Sequence, residues 1–228
     1  MAETSGGAPA NAASQSNLDN QLSTAAGMAE MAALRTALAA GADVDVRRTV
    51  NPGGISRTPL ARVLHPMSTV SEERRTACVR ALLLAGASPS EPITHPGGGR
   101  WMPLHEAAAL GLYTVCRLLL DAGADVNVRD GRECTPLHYA AARQNQKLIA
   151  LLLSRGAVDG PSVDPGSRSP YLRKIRAAGG FAAYGKQHRA KLVAMLAPKF
   201  AHVLPPELVS VVITFWAPVG LHYMCRVK

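Results

Sequence analysis

Apolar residues along this chain recur at helical spacing in short blocks, never in long runs. Val115, Leu118 and Leu119 form one stripe and Ile149, Leu152 and Leu153 another, each on one face of a short helix. A glycine follows each stripe, at Gly123 and Gly156, where a left-handed residue ends a helix. Pro103 and Pro136 suit the first turn of the preceding helices, since a proline lacks only an N–H that has no partner there. Thr135 stands where it can cap its helix. The elements predicted are pairs of short helices separated by turns. The residues from Met1 to about 19, rich in Ala, Ser, Asn and Gly, read as a solvated tail.

These blocks repeat. Met102-Pro103-Leu104-His105-Glu106-Ala107 returns 33 positions later as Thr135-Pro136-Leu137-His138-Tyr139-Ala140. The glycines recur with the same period, each 20 positions after its proline. Thr58-Pro59-Leu60 and Gly86-Ala87 form an earlier copy with seven extra residues near His65 to Arg75, between its helices. Gly41-Ala42-Asp43-Val44-Asp45 closes a first copy without Thr-Pro that keeps Leu22, Ala25 and Ala26. Ser169-Pro170-Tyr171 opens a divergent fifth.

A 33-residue period carrying T-P-L-H-x-A resembles the ankyrin repeat family. The resemblance implies an all-α solenoid of stacked helix-turn-helix units with β-hairpin fingers and a C-terminal helical cap. It divides the chain into an N-terminal tail (1–19), four repeats (20–160), a divergent fifth repeat or basic helical extension (161–200) and a capping or F-box-like helix (201–228). It also implies protein recognition, with no chemistry and no cofactor. No G-x-S-x-G, P-loop, G-x-G-x-x-G or H-E-x-x-H is present, so an enzyme is not expected. By the same resemblance His105 and His138 are structural hydrogen-bonding residues, not a metal pair.

In that family partners meet the finger tips and the exposed side of the first helices. The matching positions are Arg47, Arg48 and Arg57 in the first finger, Arg100 and Trp101 in the second, and Arg129, Arg132 and Glu133 in the third. On the first helices they are Ala109, Leu110, Ala142 and Arg143. Trp101 is either an interface anchor or folded back over Pro96-Gly97-Gly98-Gly99. The first and second fingers are five and four residues longer than the third, and Glu133 stands where the family has its turn glycine.

Composition sharpens this picture. Alanine is the commonest residue and only 4% of the chain is aromatic, which excludes an all-β sandwich or barrel. No apolar run is long enough to span a bilayer, and no signal or transit peptide pattern opens the chain. Cys78, Cys116, Cys134 and Cys225 are widely spaced, as expected of reduced thiols in a cytoplasmic or nuclear protein.

Net charge is +9, and eight basic residues without an acidic one lie between Pro165 and Phe200. Arg168, Arg173, Lys174, Arg176, Lys186, Arg189, Lys191 and Lys199 form either a solvated face or a patch for RNA or another acidic surface. Tyr171, Phe181 and Tyr184 interleave with them, where rings can stack on bases. Further on, Leu204-Pro205-Pro206-Glu207-Leu208 opens an apolar helix through Val212, Phe215 and Trp216. It resembles the opening of an F-box, and the F-box-like segment that closes some viral ankyrin proteins. That likeness implies docking to a core subunit of a cullin-type ubiquitin ligase. Leu221 and Cys225 also fit the L-x-x-x-C core of the SOCS-box helix. The alternative is a helix that seals the last repeat.

Overall fold

The structure is a computed structural model. It describes residues 8–49, 56–65, 70–93, 100–158 and 169–200, together with Leu208 and Val211. Ten helices and one two-stranded hairpin follow in order among them: α1 (Ala8–Met28), α2 (Met31–Ala39), β1 (Arg48–Thr49), β2 (Ser56–Arg57), α3 (Pro59–Val63), α4 (Glu72–Leu84), α5 (Pro103–Leu110), α6 (Tyr113–Asp121), α7 (Pro136–Ala142), α8 (Gln146–Ser154), α9 (Pro170–Ala177) and α10 (Phe181–Phe200). The odd-numbered helices form an inner row, in which α1 meets α3 and α5 meets α7. The even-numbered helices form an outer row, in which α2, α4, α6 and α8 touch in succession.

Small residues on the inner row allow this closeness. Ala25, Ala26, Ala107, Ala108, Ala140 and Ala141 are all buried. The outer row contributes the larger core side chains, among them Leu34, Leu82, Leu119 and Leu152, each wholly buried. One hydrophobic core runs from Leu22 to Ile175, because no pair of helices covers its own apolar face.

Every outer helix from α2 to α8 ends the same way. In the third repeat Ala124 N–H donates to Leu119 O (3.0 Å) and Gly123 N–H to Leu120 O (3.1 Å). Gly123 has φ of 93°, the left-handed value that this double bond needs. The matching bonds Ala42–Ala37, Ala87–Leu82 and Ala157–Leu152 recur in the other repeats. The glycine therefore fixes where each outer helix stops.

The seven extra residues of the second repeat alter where its helices begin and end. α3 has 5 residues, against 8 in α5 and 7 in α7. α4 has 13, against 9 in α6 and α8, and the addition is at its N-terminal end. Shortening α3 exposes its last carbonyls early. Arg75, buried at 6% exposure, donates Nη1 to Val63 O (3.1 Å) and His65 O (3.2 Å) and so closes that end.

The N-terminal stretch differs from its expectation. Residues 8–19 belong to helix α1, so a solvated tail does not reach residue 19. Asp19 is buried, and its Oδ1 accepts from Asp43 N–H (2.9 Å) while Gln15 Nε2 donates to Gly41 O (3.0 Å). Between the third and fourth repeats a single side chain makes the same two bonds. Asn127 Oδ1 accepts from Val158 N–H (2.8 Å) and its Nδ2 donates to Gly156 O (3.1 Å). Gln15 and Asp19 thus supply to the first repeat what a preceding finger would supply, which orders this end of the helix.

At the far end, α9 and α10 continue the helix-turn-helix alternation. Ser169 Oγ caps α9 by accepting from Leu172 N–H (3.5 Å), and Leu172 and Ile175 are buried. α10 packs on both α8 and α9.

Candidate protein-recognition surface

The fingers and the inner helices make one side of the stack. The third finger is organised by Asp130, which is buried. Its Oδ1 accepts from Arg132 N–H (2.8 Å) and Cys134 N–H (2.9 Å), and its Oδ2 accepts the Tyr139 hydroxyl. Burial alone raises the Asp130 pKa; the bonds from Tyr139, Cys134 and Arg132 outweigh it and hold the carboxyl below its usual range. Burial, with that acceptor, raises the Tyr139 phenol. Glu133 adopts φ of 59°, the glycine-like conformation of its position. The finger therefore keeps its turn without the glycine, and Arg129 Nη1 bonds Glu133 Oε2 at 2.9 Å.

His105 ties this finger to α5. Its Nδ1 accepts from Met102 N–H (3.2 Å), and its Nε2 lies 3.1 Å from both Val128 O and Cys134 O, which makes Nε2 the protonated nitrogen. Burial lowers the His105 pKa, so the ring is neutral. His138 repeats the local half of this device, with Nδ1 accepting from Thr135 N–H at 2.9 Å. Both histidines serve the stack, and among the described residues no group of three His, Cys, Asp or Glu is arranged to hold a metal.

Trp101 stands at the joint of the second finger and α5. Its backbone pairs with Ile93, whose N–H donates to Trp101 O at 2.6 Å. Its indole N–H donates to Glu106 Oε2 (2.5 Å), and its ring lies edge-on to Tyr139 with centroids 5.0 Å apart. The ring is thereby held against the inner helices, where it is half-buried. Glu106 is buried in turn and lies within the field of Arg57 and Arg75. Glu106 and Tyr139 escaped the sequence reading as surface residues, although both occupy the variable position of their T-P-L-H-x-A blocks. Arg62 holds the same variable position in the second repeat, and Arg75 lay at the insertion, without a motif to mark it.

The other expected contact residues divide into three groups. Arg47 is paired with Glu91 of the next finger, and Arg129 with Glu133. Arg100, Arg132, Arg143 and Ala142 are exposed, with Ala109 and Leu110 half-buried beside them. Arg48 is described through its backbone alone, which pairs with Arg57.

The basic stretch lies on α9 and α10. Arg173, Lys174, Arg176, Lys186, Arg189 and Lys191 are exposed, while Arg168 lies outside the described residues. Tyr171, Phe181 and Tyr184 do not stand among these charges as open rings. They pack against the core, and Tyr171 meets Tyr184 edge-on at 5.6 Å. Of the apolar segment beyond residue 200, Leu208 and Val211 are helical and exposed. Leu204, Pro205, Glu207, Val212, Phe215 and Trp216, together with Leu221 and Cys225, lie outside the described residues.

Stacked helix pairs with projecting fingers and a row of small residues inside define a repeat scaffold. Residues 64–164 match the family model for ankyrin repeats, in three copies, so this part of the chain carries ankyrin repeats. Several relatives share the repeats. Protein fem-1 homolog C of Xenopus laevis is 39% identical over 77 residues, covering 28% of this chain and 12% of its own length. Rabankyrin-5 of Mus musculus is 33% identical over 116 residues, 47% of this chain and 9% of its own. Ankyrin repeat and SOCS box protein 16 of Homo sapiens is 34% identical over 100 residues, 44% and 21% respectively. The chain thus spans no more than about a fifth of these relatives' lengths. Ankyrin repeats generally serve as protein-interaction modules and are typically not enzymes. No described helix is long and apolar enough to cross a membrane.

Proposed function

We propose that this chain recognises a partner protein laid across its fingers and inner helices. The observation that carries this reading is the division of labour on that side. Polar groups there tie neighbouring repeats together, whereas Arg100, Arg132 and Arg143 are exposed and join no ion pair among the described residues. Arginine at the edge of a preformed surface is a frequent anchor of protein contacts. The test is affinity purification from cell lysate with the full chain and with an Arg100→Glu, Arg132→Glu, Arg143→Glu variant. The reading requires that the variant lose the bound protein while keeping its helical circular dichroism.

A second reading is a substrate adaptor of a cullin-type ligase in a cytoplasmic or nuclear setting. Leu208 and Val211 favour it, since both are apolar, helical and about half exposed. The human relative named for a SOCS box agrees with it in kind. A Leu208→Asp, Val211→Asp variant in the same purification separates the two. Loss of a ligase core subunit, with the other partner retained, establishes the adaptor. A third reading, contact with RNA or another acidic surface, draws on the exposed cations of α9 and α10. Phosphate contacts require its affinity to fall steeply with added salt.

A further inference from the structure

The inner helices α3, α5 and α7 contain a single carboxylate, Glu106. That carboxylate is buried and already accepts the Trp101 indole N–H. Arg57 and Arg75 both lie within its field, and Arg62 lies within that of Arg57. Two guanidiniums, Arg57 and Arg75, therefore share one anion, and a third, Arg62, stands near Arg57. Arg75 spends its donors on Val63 O and His65 O, and Arg62 donates Nη1 to Ser23 Oγ at 3.0 Å.

Arg57 differs from both. It is half-buried, at the end of the first finger, and among the described residues it makes no side-chain hydrogen bond and no contact ion pair. Burial pulls its pKa down; the Glu106 carboxylate opposes that pull only in part, and Arg62 adds to it. A partly desolvated cation with unmet planar donors is costly until an acceptor arrives, and a carboxylate fits its fork in a bidentate pair.

Further along the same side the carboxylates are occupied. Glu133 is paired with Arg129, and Asp130 is bound by two backbone N–H groups and Tyr139. Arg132 on that finger and Arg143 at the C-terminal end of α7, beside Gly111, remain exposed.

We infer that the partner segment seated on this face is acidic, an extended peptide with one carboxylate on Arg57 and others toward Arg143 and Arg132. From α3 to α7 is two helix spacings, about 16–20 Å at 8–10 Å each. An extended chain covers that in about five or six residues. The partner's acidic anchors are accordingly about five or six positions apart.

This inference rests on the proposed recognition surface, and the experiment separates the two. A random dodecapeptide library displayed on phage is selected on the full chain. Selected peptides are then measured by fluorescence anisotropy against three variants of it. One is Arg57→Gln, Arg132→Gln, Arg143→Gln; because Arg57 is half-buried, Arg132→Gln, Arg143→Gln is measured beside it. The second is Ala142→Trp, which blocks the face without changing charge. The third is Arg173→Gln, Arg189→Gln, Lys191→Gln on the terminal helices.

The expected result is peptides rich in Asp and Glu. Their affinity falls at least tenfold in the triple face variant and severalfold in the double one, and it changes little in the terminal-helix variant. Peptides without acidic enrichment that lose binding only in Ala142→Trp would overturn the acidic preference and keep the face. Acidic peptides that ignore every face variant and lose binding in the terminal-helix variant would overturn both.

Discussion

The second and third repeats perform the same task with different residues. In the third, His105 reaches from α5 to two carbonyls of its finger, Val128 O and Cys134 O. In the second, Ala61 occupies the histidine position. There Thr58 Oγ caps α3 through Ala61 N–H (3.3 Å), and the second finger closes on itself through Ile93 and Trp101. A guanidinium, Arg75, takes over the bonding, but it serves the end of α3 instead of the finger. The comparison teaches that the unit is defined by where its outer helix stops and by satisfied carbonyls. Neither helix length nor one motif residue defines it.

The largest effect should come from breaking the better-tied repeat. His105→Ala leaves Val128 O, Cys134 O and Met102 N–H without that side chain, and a loss of about 3 kcal/mol or more in urea denaturation is expected. Arg75→Met strands two carbonyls of the second repeat but keeps most of its packing. A loss of about 2 kcal/mol is expected, with amides near the end of α3 exchanging first.

Acid sharpens the same contrast, because only one of the two ties titrates in this range. The folded pKa of His105 is depressed by burial, so the unfolded chain binds the extra proton. Stability contributed by the neutral ring is full above about pH 6.5 and declines below it, by at most about 1.4 kcal/mol per pH unit. Hydrogen exchange at pH 5.5 against pH 7.5 should show lost protection in the third finger and unchanged protection around Arg75.

Two smaller changes extend the comparison to other repeats. Asp19→Ala removes one hydrogen bond to the first repeat and should cost about 1 kcal/mol; equal stability would mean that the first repeat needs no substitute for a preceding finger. Gln144 sits at φ of 55° where the third repeat has Gly111 at 76°. Gln144→Gly should therefore stabilise by roughly 0.5–1 kcal/mol, seen as a higher midpoint in the same denaturation.

Much of this was legible in the residues. The 33-residue spacing located α5 to α8, and the glycines located the ends of the outer helices, since both follow from local backbone chemistry. The placement of the insertion between α3 and α4 also followed from the spacing. The N-terminal helix was not legible ahead of residue 20, because Gln15 and Asp19 hold it through backbone groups that leave no apolar pattern. Trp101 was undecided from sequence, since its neighbour Glu106 reads as an exposed charge until its burial is seen. The rings of Tyr171, Phe181 and Tyr184 were misleading for a related reason: alternation with cations does not tell which side of a helix faces the core.

The bonds of Asn127 have one more consequence. They form a joint with a plug, the side-chain amide, and a socket, the Gly156 carbonyl and Val158 N–H, whose spacing is set by the turn. Gln15 and Asp19 are a blank plug fitted to the first socket. A new unit spliced between the third and fourth would need only those two halves at its borders. A stack joined in this way accepts a new unit between existing ones with no change to the rest of its core.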